Sequence, residues 1–552
     1  MLLQMIADIN ITEKSFGPKT LMNGVRFSVN DGEKIGLIGR NGIGKSTLFN
    51  ILTGLDSDYS GEIIYKRGAV VVATSQEHHD FDDLTVLQYI LSGLPEYADL
   101  SKIIETYPSI MSDNLRMINE YTDAVARFTD KGFYQIEDQI KRELENFQLK
   151  DIGHKPFSNL SGGQKRLIEI VKVMHSDADL ALFDEPTNHM DYIAKAQYID
   201  WMKNAREAML IITHDRDVLA DVDRIIEIKD GQAFSYNGNY DAYLRQNTIS
   251  TGMRMNDFEM IEKRINNLKT KIIDYKRLKE KSRNPSTIQR FKRLEEKSKK
   301  ELIELQQIEK PTFWIDKEST TNLNYKSVSQ YEKFKAKNIK MNIKNEISRS
   351  KNVLLSVRDL SLGYGAPLFN DINIDLREGE ALQLVGRNGA GKTTLIKAIL
   401  ASRDTRFGDI NIFNGEIKLD SQVRIGIYEQ EISPTYFDMT LEFAIEKMYL
   451  DKNLSISNTK IRSLINDYLF TESDKNIKIN RLSGGQKARF QIISMLANNP
   501  QLLILDEPTN HLDLPSIEEL ETSLKKYSGA IIYVSHDEYF HRAIGGDRLL
   551  IC

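Results

Sequence analysis

The same set of short motifs occurs twice in this chain, in the same order. Four motif pairs make up the repeat: GRNGIGKST at 39–47 with GRNGAGKTT at 386–394, LSGGQK at 160–165 and 482–487, ALFDEPTNHMD at 181–191 with LILDEPTNHLD at 503–513, and THD at 213–215 with SHD at 535–537. From the serine of LSGGQK to the histidine, the offset between the copies is constant at 322 residues. A repeat of this kind predicts two copies of one domain, called here the first and second repeats.

Apolar strand-like segments and helix-compatible segments alternate around these motifs. The predicted strands are 34–38, 180–183 and 209–213 in the first repeat and 381–385, 502–505 and 530–535 in the second. Helix-compatible stretches at 46–52 and 393–400 follow the glycine-rich turns. Strands that alternate with helices favour a parallel sheet covered by helices. The predicted fold class is therefore α/β, with one parallel-sheet core and one helical subdomain in each repeat.

The two repeats differ in length between their first two motifs. The glycine-rich motifs are offset by 347 residues, so the first repeat carries 25 additional residues before LSGGQK. The region at 95–149 has a helical pattern. We therefore expect an insertion in the helical subdomain of the first repeat.

A segment of different character separates the repeats. Apolar residues at a 4, 3, 4, 3 spacing indicate a coiled-coil seam: Ile261, Ile265, Leu268, Ile272 and Tyr275. Arg283-Asn284-Pro285-Ser286 interrupts this helix, because proline lacks an amide hydrogen. A second helical pattern runs through Phe291, Leu294, Leu302, Leu305 and Ile308 and ends near Pro311. The pattern predicts an antiparallel hairpin with its tip at 282–287 and arms of roughly 40 Å.

Four segments follow from these patterns. We expect the first repeat at 1–245, the basic helical hairpin at 246–312, a polar and partly ordered connection at 313–352, and the second repeat at 353–552. The two repeats, joined by a long α-helical hairpin, account for most of the chain.

Charge is distributed unevenly along the chain. The net charge is -5, yet residues 261–310 contain 16 Lys/Arg and 8 Asp/Glu, a local net charge of +8. The tip at 279–293 holds six basic residues and one glutamate: Lys279, Lys281, Arg283, Arg290, Lys292 and Arg293 are the candidates for RNA contact. A phosphate-rich RNA surface attracts such a tip, although a solvated spacer would have the same charge. Few aromatic residues are interleaved, so base stacking is not the expected mode.

Composition excludes several classes of protein. Hydrophobic residues make up 41% and charged residues 28%, as in globular proteins. The sequence contains no run of about 18 apolar residues, which a transmembrane helix would need. The N-terminus lacks the basic region of a signal peptide. The one cysteine, Cys552, allows no internal disulfide or cysteine-based zinc site. We expect a cytoplasmic protein.

The glycine-rich motifs satisfy the pattern G-x-x-x-x-G-K-[ST] of a phosphate-binding loop. Backbone amides of such a loop surround phosphate oxygens, and Lys45 and Lys392 reach the terminal phosphates. Ser46 and Thr393 supply hydroxyl ligands for Mg²⁺. The pattern thus predicts two nucleotide sites.

Acidic pairs and histidines follow the next two predicted strands. Asp184 and Asp506 are candidate metal ligands, whereas Glu185 and Glu507 are candidates for polarising the attacking water. His214 and His536 end the third strand in each repeat and are candidates for contact with the γ-phosphate. The predicted reaction is hydrolysis of ATP at both sites.

The order of these motifs resembles that of the ABC ATPases, in which LSGGQ lies between the phosphate loop and the acidic pair. In that family ATP is bound between two domains arranged head to tail, so Lys45 shares a nucleotide with Ser483, and Lys392 with Ser161. The resemblance adds Gln76 and Gln430 as Q-loop metal ligands, Asp191 and Asp513 as D-loop residues, and Phe16 and Tyr364 as adenine-stacking aromatics. The ATP-contacting sets it implies are Gly39, Asn41, Gly42, Gly44, Lys45, Ser46 and Thr47 with Ser483, Gly484 and Gly485, and Gly386, Asn388, Gly389, Gly391, Lys392, Thr393 and Thr394 with Ser161, Gly162 and Gly163.

The chain is more specifically similar to the ABC-F subfamily, which has tandem ABC domains, a long charged linker and no membrane domain. EPTNHMD in the first repeat departs from the subfamily pattern EPTNHLD at Met190. The resemblance implies a monomer that binds the ribosomal exit site with its linker directed toward the peptidyl transferase centre. Some members are housekeeping translation factors and others protect ribosomes from antibiotics. The long segment at 313–352, the short insertion and the end of the chain soon after the second repeat favour the protection branch.

Other functions fit the motifs less well. An ATPase subunit of a membrane transporter would need separate permease chains and has no use for a basic hairpin. A DNA-repair or chromosome-maintenance ABC protein typically contains zinc-binding cysteines or far longer coiled coils. A scaffold without hydrolysis is disfavoured because Glu185 and Glu507 are both present.

Overall fold

The computed structural model describes residues 4–17, 19–74, 84–110, 112, 114–188, 190–306, 338–341, 353–402, 410–429 and 431–551. The chain divides into two compact units. One unit combines Met1–Tyr240 with Ile339–Cys552 and contains both repeats, and the other is Asp241–Asn338.

The first repeat is built from nine strands and eight α-helices within the described residues. In chain order they are β1 (Met5–Phe16), β2 (Lys19–Asn30), β3 (Lys34–Gly39), α1 (Lys45–Leu52), β4 (Ser60–Tyr65), β5 (Val71–Ala73), α2 (Val86–Ser92), α3 (Tyr97–Ile110), α4 (Leu115–Asp130), α5 (Ile136–Asn146), α6 (Gly162–Met174), β6 (Leu180–Asp184), α7 (Tyr192–Asn204), β7 (Ala208–Ile212), α8 (Arg216–Leu219), β8 (Arg224–Lys229) and β9 (Gln232–Asn237).

A six-stranded sheet forms the core of the first repeat, in the order β5-β6-β7-β3-β8-β9. All pairs in it are parallel except β8 with β9. Every residue of β6 and of β7 is buried, because a parallel sheet is covered on both faces. The carboxyl ends of β3, β6 and β7 lead directly into the phosphate loop, the acidic pair and the histidine. The sheet therefore brings these three motifs to one edge.

Two long helices form the hairpin between the repeats: α9 (Tyr240–Lys281) and α10 (Pro285–Gln306). They run antiparallel, since Arg264 pairs with Glu301 at 2.6 Å near one end and Lys279 pairs with Glu295 at 2.8 Å near the other. Pro285 is the first residue of α10, where its missing amide hydrogen costs no helical hydrogen bond. The helix break falls within the predicted tip. The expected second arm extends through Ile308 to Pro311, and these two residues lie outside the described part.

The second repeat has eight strands and six α-helices within the described residues. They are β10 (Val353–Gly363), β11 (Pro367–Arg377), β12 (Ala381–Gly386), α11 (Lys392–Ala401), β13 (Asn411–Leu419), β14 (Ile425–Tyr428), α12 (Leu441–Asp451), α13 (Asn458–Asp467), α14 (Gly484–Leu496), β15 (Leu502–Asp506), α15 (Leu514–Lys525), β16 (Ala530–Val534), α16 (Glu538–Ile544) and β17 (Asp547–Ile551). Its parallel sheet has the order β14-β15-β16-β12-β17. The predicted α/β fold is confirmed in both repeats.

The insertion in the first repeat consists of helix α3 and helix α4. The hydroxyl of Tyr107 on α3 donates to the carboxylate of Glu120 on α4 at 3.0 Å. Three aromatic rings pack together, with centroids 5.2 to 5.7 Å apart: Tyr97 of α3, Phe128 of α4 and Phe133, which follows α4. This aromatic cluster joins the insertion to the core of the helical subdomain, which agrees with the expected position of the additional residues.

Each repeat also contains an antiparallel sheet that the sequence analysis did not predict. The strand orders are β2-β1-β4 in the first repeat and β11-β10-β13 in the second. Of the expected connection at 313–352, only 338–341 lies within the described residues. There, the side chain of Ile339 is buried in the core of the second repeat, and the amide of Lys340 donates to the carbonyl of Asp467 at 2.8 Å.

Replacing Phe157 with alanine should destabilise the helical subdomain of the first repeat. Phe157 is fully buried and stacks on Tyr89 with ring centroids 4.2 Å apart. Removing a buried aromatic ring costs about 3–5 kcal/mol, since the lost contacts are combined with a cavity. We expect a clear fall in Tm, measured by thermal unfolding. Phe413→Ala is the matched control, because that ring is 47% exposed, and an equal fall in both variants would contradict the packing argument.

Candidate functional site

The phosphate loop of the first repeat connects β3 to α1. Gly44 has a φ of 106°, in the left-handed region that glycine adopts without strain. This turn directs the buried Lys45 side chain back over the loop, where Nζ donates to the carbonyls of Gly39 at 2.6 Å and Arg40 at 3.3 Å. The amino end of α1 therefore faces the cavity with its unpaired amides and its partial positive charge.

The acidic pair and the histidine of the first repeat lie beside this loop. The hydroxyl of Ser46 donates to Oδ2 of Asp184 at 3.0 Å. Glu185 has a φ of 48°, and its amide donates to the carbonyl of Ile212 on β7 at 2.8 Å. His214 Nε2 lies 3.3 Å from Nζ of Lys45 and 3.7 Å from Oε1 of Glu185. The three motifs of one repeat thus meet in a single cluster.

The second repeat has the same arrangement. Lys392 Nζ donates to the carbonyl of Gly386 at 2.7 Å, and Thr393 Oγ1 donates to Oδ2 of Asp506 at 3.1 Å. His536 Nε2 lies 3.2 Å from Oε1 of Glu507. Both candidate sites therefore hold the same groups in similar geometry.

One aspartate from each repeat bonds to the phosphate loop of the opposite repeat. Oδ1 of Asp513 accepts from the amide of Ser516 and caps α15, while its Oδ2 accepts from the amide of Asn41 at 3.3 Å. Asp191 caps α7 in the same way, and its Oδ2 accepts from the amide of Asn388 at 3.1 Å. The reciprocal bonds show that the repeats pack head to tail.

Each phosphate loop lines a cavity together with residues of the other repeat. The first cavity, of about 600 Å³, is lined by Asn41, Gly42, Gly44, Lys45, Ser46, Thr47, Asp184, Glu185 and His214 and by Ser483, Gly484 and Gly485. The second, of about 430 Å³, is lined by Asn388, Gly389, Gly391, Lys392, Thr393, Thr394, Asp506, Glu507 and His536 and by Ser161, Gly162 and Gly163. These volumes are in the range of small-molecule sites. The predicted pairing of each phosphate loop with the LSGGQ segment of the other repeat is thus present in the geometry.

The serines of LSGGQ begin helices that face these cavities. Ser161 Oγ accepts from the amide of Gln164, and Ser483 Oγ accepts from the amide of Gln486, each at 3.3 Å in a capping box. Gly485 packs so closely against Asn41 that a Cβ atom there would collide with the Asn41 side chain. Glycine at this position therefore leaves room for the Asn41 side chain of the opposite repeat.

Some predicted site residues are not part of these clusters. Gln76 and Gln430 lie outside the described residues. Phe16 and Tyr364 are 53% and 49% exposed, and neither is among the described residues that line the two cavities. At the hairpin tip, Lys279 pairs with Glu295, whereas the side chains of the other five basic candidates are exposed.

The cavities also include residues that the sequence analysis missed. Arg166, Asn188 and His511 line the first cavity, and Glu431 lines the second. Arg166 follows the LSGGQK motif directly and Asn188 lies within EPTN, so proximity to a motif was the available signal.

Burial controls the protonation of the site in the absence of nucleotide. It raises the pKa of Glu185 to about 8, with Lys45 opposing, and the pKa of Glu507 to about 7, with Asp506 adding to the effect. Burial, together with the nearby lysine in each site, lowers the pKa of His214 to about 3 and that of His536 to about 4. The histidines are therefore neutral at pH 7.

The donor set fits a magnesium ion that accompanies a nucleotide. Each site offers one hydroxyl and one aspartate oxygen, 3.0 to 3.1 Å apart, beside a phosphate loop. Within the described residues no cluster of three or more His, Cys, Asp or Glu side chains suits a metal ion. Mg²⁺ is usually held by one or two protein oxygens, water and substrate phosphates, so a site with few protein ligands suits this metal.

These features define a tandem P-loop ATPase with two composite sites. The family described as ABC transporter matches residues 22–188 and 369–510, which include both phosphate loops and both acidic pairs. The chain belongs to the ABC family of ATPases and, within it, to the ABC-F subfamily. It binds and hydrolyses ATP.

Relatives resemble the chain over nearly its whole length. The ATP-binding protein YdiF of Bacillus subtilis is 31% identical, with 97% of this chain and 78% of YdiF aligned. The energy-dependent translational throttle protein EttA of Mycobacterium tuberculosis is 26% identical, with 97% and 89% aligned. The structure of an archaeal ribosome recycling factor, aABCE1, in complex with the stalk protein aP1 has a TM-score of 0.57 at 15% identity, covering 98% of this chain and 87% of that one. This last similarity concerns the fold.

No described helix combines the length and the apolar character that crossing a membrane requires.

The buried glutamates predict a pH-dependent stability of the nucleotide-free protein. Because their pKa values are higher in the folded than in the unfolded chain, the folded state binds more protons between about pH 4.5 and 8, and the free energy of unfolding falls as pH rises through this range. The double variant Glu185→Gln/Glu507→Gln removes this fall in the free energy of unfolding, because glutamine does not titrate. We expect its Tm to equal that of the wild type at pH 5 and to exceed it by about 2 °C or more at pH 8.5, measured without nucleotide or Mg²⁺.

The two histidines act in the opposite direction, since their lowered pKa values make stability rise with pH up to about 6.5. They are common to both proteins, so the difference in Tm isolates the glutamates. Glu145→Gln, at an exposed position on α5, is the control. A Tm difference independent of pH would show that the glutamates are not proton-linked to folding.

Proposed function

We propose that each composite cavity binds one ATP with Mg²⁺ and hydrolyses it to ADP and phosphate. Lys45 and Lys392 contact the terminal phosphates, and the loop amides surround the remaining phosphate oxygens. Ser46 with Asp184, and Thr393 with Asp506, hold the metal ion, to which the resemblance adds Gln76 and Gln430. The metal supplies charge neutralisation at the β- and γ-phosphates. Phe16 and Tyr364 are proposed to stack on adenine.

The catalytic step is assigned to the glutamate and histidine of each site. Glu185 and Glu507 orient the attacking water and accept its proton, while His214 and His536 contact the γ-phosphate through a neutral imidazole. The separations of 3.2 to 3.7 Å between the glutamate and the histidine of each site support this assignment, because both groups would have to contact the same γ-phosphate. The pKa values near 7 to 8 suit a general base at neutral pH.

ATP binding is proposed to hold the repeats together. The observation that carries this is the lining of each cavity by residues of both repeats. A nucleotide that contacts both surfaces favours the closed arrangement, and its hydrolysis removes part of that preference. Asp191 and Asp513 already connect the phosphate loops across the interface and would transmit closure between the two sites.

The proposed target is the ribosome, and the proposed role is in translation. The exposed basic residues of the hairpin tip match a phosphate-rich RNA surface. The relative EttA is named as a translational throttle, and the aABCE1 complex is described as that of a ribosome recycling factor with a stalk protein. We propose that the hairpin is directed toward the peptidyl transferase centre when the protein occupies the exit site. The alternative remains an ATPase subunit that serves separate permease chains.

Two branches of this proposal differ in the effect on translation. In the housekeeping branch the protein adjusts translation itself, whereas in the protection branch it relieves inhibition by an antibiotic and confers resistance. Cell-free translation with the purified protein and ATP distinguishes them. Restored synthesis in the presence of a peptidyl transferase inhibitor supports protection, and an effect confined to reactions without inhibitor supports the housekeeping branch.

The variant Glu185→Gln/Glu507→Gln tests the ribosome proposal. Without a general base it should bind two ATP and remain closed, so we expect it to pellet with ribosomes in ATP and not in ADP. Normal ATP binding without ribosome binding in either nucleotide would overturn the proposal and favour the permease alternative. Normal ATPase activity in this variant would contradict the role assigned to the glutamates.

The tip is tested by charge reversal in the same ATP-trapped background. Arg283→Glu/Arg290→Glu should weaken ribosome binding about tenfold or more and lower the salt dependence of binding, since two phosphate contacts are lost. Lys297→Glu/Lys300→Glu makes the same charge change farther along α10 and is expected to alter affinity less than about twofold. Equal losses in both variants would indicate a nonspecific effect of net charge.

A further inference from the structure

A lysine of the first repeat contacts the backbone of the histidine in the second ATP site. Lys195 lies on α7 and is buried. Its Nζ donates to the carbonyl oxygen of His536 at 2.9 Å, and it also pairs with Asp215 at 2.9 Å and Asp217 at 2.5 Å in its own repeat. The cation thus fixes the position of His536 relative to the first repeat.

A second buried cation binds the next residue along the chain. Arg216 Nη2 donates to Oδ2 of Asp537 at 2.8 Å and also pairs with Glu521 on α15. Oδ1 of Asp537 accepts from the amide of Phe540 and caps α16. Lys195 and Arg216 together hold the backbone and side chain of the dipeptide His536-Asp537, and both cations come from the first repeat.

The corresponding positions of the second repeat cannot make these bonds. At the constant offset of 322 residues, the counterpart of Lys195 is Ile517 and that of Arg216 is Glu538. Ile517 has no side-chain hydrogen-bond donor, and Glu538 pairs with Arg548 of its own repeat at 2.8 Å. At the position that corresponds to Lys195 the second repeat therefore offers no donor for the carbonyl of His214, and in the first site Lys195 itself pairs with the side chain of Asp215.

We propose that Lys195 is a positioning residue for the second ATP site and that it makes the two sites non-equivalent. It acts through the carbonyl of His536, with Arg216 as its neighbour on Asp537. At the first site Lys195 pairs instead with the side chain of Asp215, which also accepts from the amide of Asp217 at 3.0 Å, and the carbonyl of His214 has an isoleucine at the position that corresponds to Lys195. This inference rests on the proposed role of Glu507 and His536 in hydrolysis.

The physical reason is the cost of misplacing a group that contacts the reacting phosphate. A displacement of about 1 Å can reduce a rate about 100-fold when it disturbs the attack geometry. His536 lies 3.2 Å from Glu507, so movement of its backbone alters the catalytic pair directly. Buried ion pairs contribute little net stability compared with apolar replacements, whereas the directional bond to a backbone carbonyl fixes one geometry.

The test isolates each site with one glutamine substitution. In Glu185→Gln only the second site hydrolyses ATP, and in Glu507→Gln only the first does. Lys195→Met is introduced into each background, and phosphate formation in the first turnover is followed by rapid quench, which does not depend on product release. We expect the rate to fall at least about tenfold in the Glu185→Gln background and by less than about twofold in the Glu507→Gln background.

Two further variants separate positioning from folding. Lys195→Arg keeps a cationic donor and should restore the rate to within about threefold of the parent. Lys203→Met is the matched control, because Lys203 lies on the same helix and forms a more exposed pair with Asp221. Tm and binding of a fluorescent ATP analogue are measured for every variant.

Each result has a defined meaning. Equal falls in the rate in both backgrounds, or no recovery of the rate in Lys195→Arg, would mean that Lys195 only stabilises the interface. Either result would overturn the proposal. An unchanged rate in the Glu185→Gln background would overturn the proposal as well. So would the loss of all phosphate formation in Glu185→Gln alone or in Glu507→Gln alone, because the proposal requires that the two sites differ. Failure of the proposed role of the glutamates is distinguishable, because Glu185→Gln/Glu507→Gln would then still form phosphate.

Discussion

The pairing of a D-loop aspartate with a phosphate-loop amide of the opposite repeat is the contact on which the two sites depend. Asp513 and Asp191 each use one carboxylate oxygen to cap a helix and the other to accept from Asn41 or Asn388. The capping bond fixes the orientation of the carboxylate, so the second oxygen is directed across the interface. One side chain therefore links the start of a helix in one repeat to the phosphate loop of the other.

Closure of the interface creates an electrostatic problem that a nucleotide would relieve. The acidic pairs and the lysines are buried within a few ångströms of one another, and burial raises the pKa values of both glutamates and lowers that of Lys45 and Lys392. These shifts favour the neutral forms of the glutamates and lysines. A phosphate group with its magnesium ion would bring charges that match both sets of residues, which couples ATP binding to the arrangement that this structure adopts.

Local sequence was sufficient for the parts of the site that depend on local geometry. The phosphate loops and the strand ends could be located because a glycine turn, an apolar strand and a polar residue at its end are encoded within about ten residues. The antiparallel sheet containing β1 was missed, although β1 pairs with the adjacent β2 as well as with β4, because none of these three strands contains one of the repeated motifs. The reading of Phe16 and Tyr364 as adenine-stacking residues came from the resemblance and stays a prediction. His511 enters the first cavity through the head-to-tail packing, which no single motif contains, whereas Arg166 comes from the same repeat as the phosphate loop.

The sequence feature that distinguishes the two sites is a difference between the repeats, and it lies outside the motifs that they share. The shared motifs contain the groups that both sites need for hydrolysis. Residues that distinguish two otherwise equal sites must instead lie where the repeats disagree and where one repeat contacts the other. Lys195 against Ile517 and Arg216 against Glu538 meet both conditions. In a tandem protein whose two sites keep the same catalytic groups, functional asymmetry is therefore to be sought among the interface residues that flank the motifs.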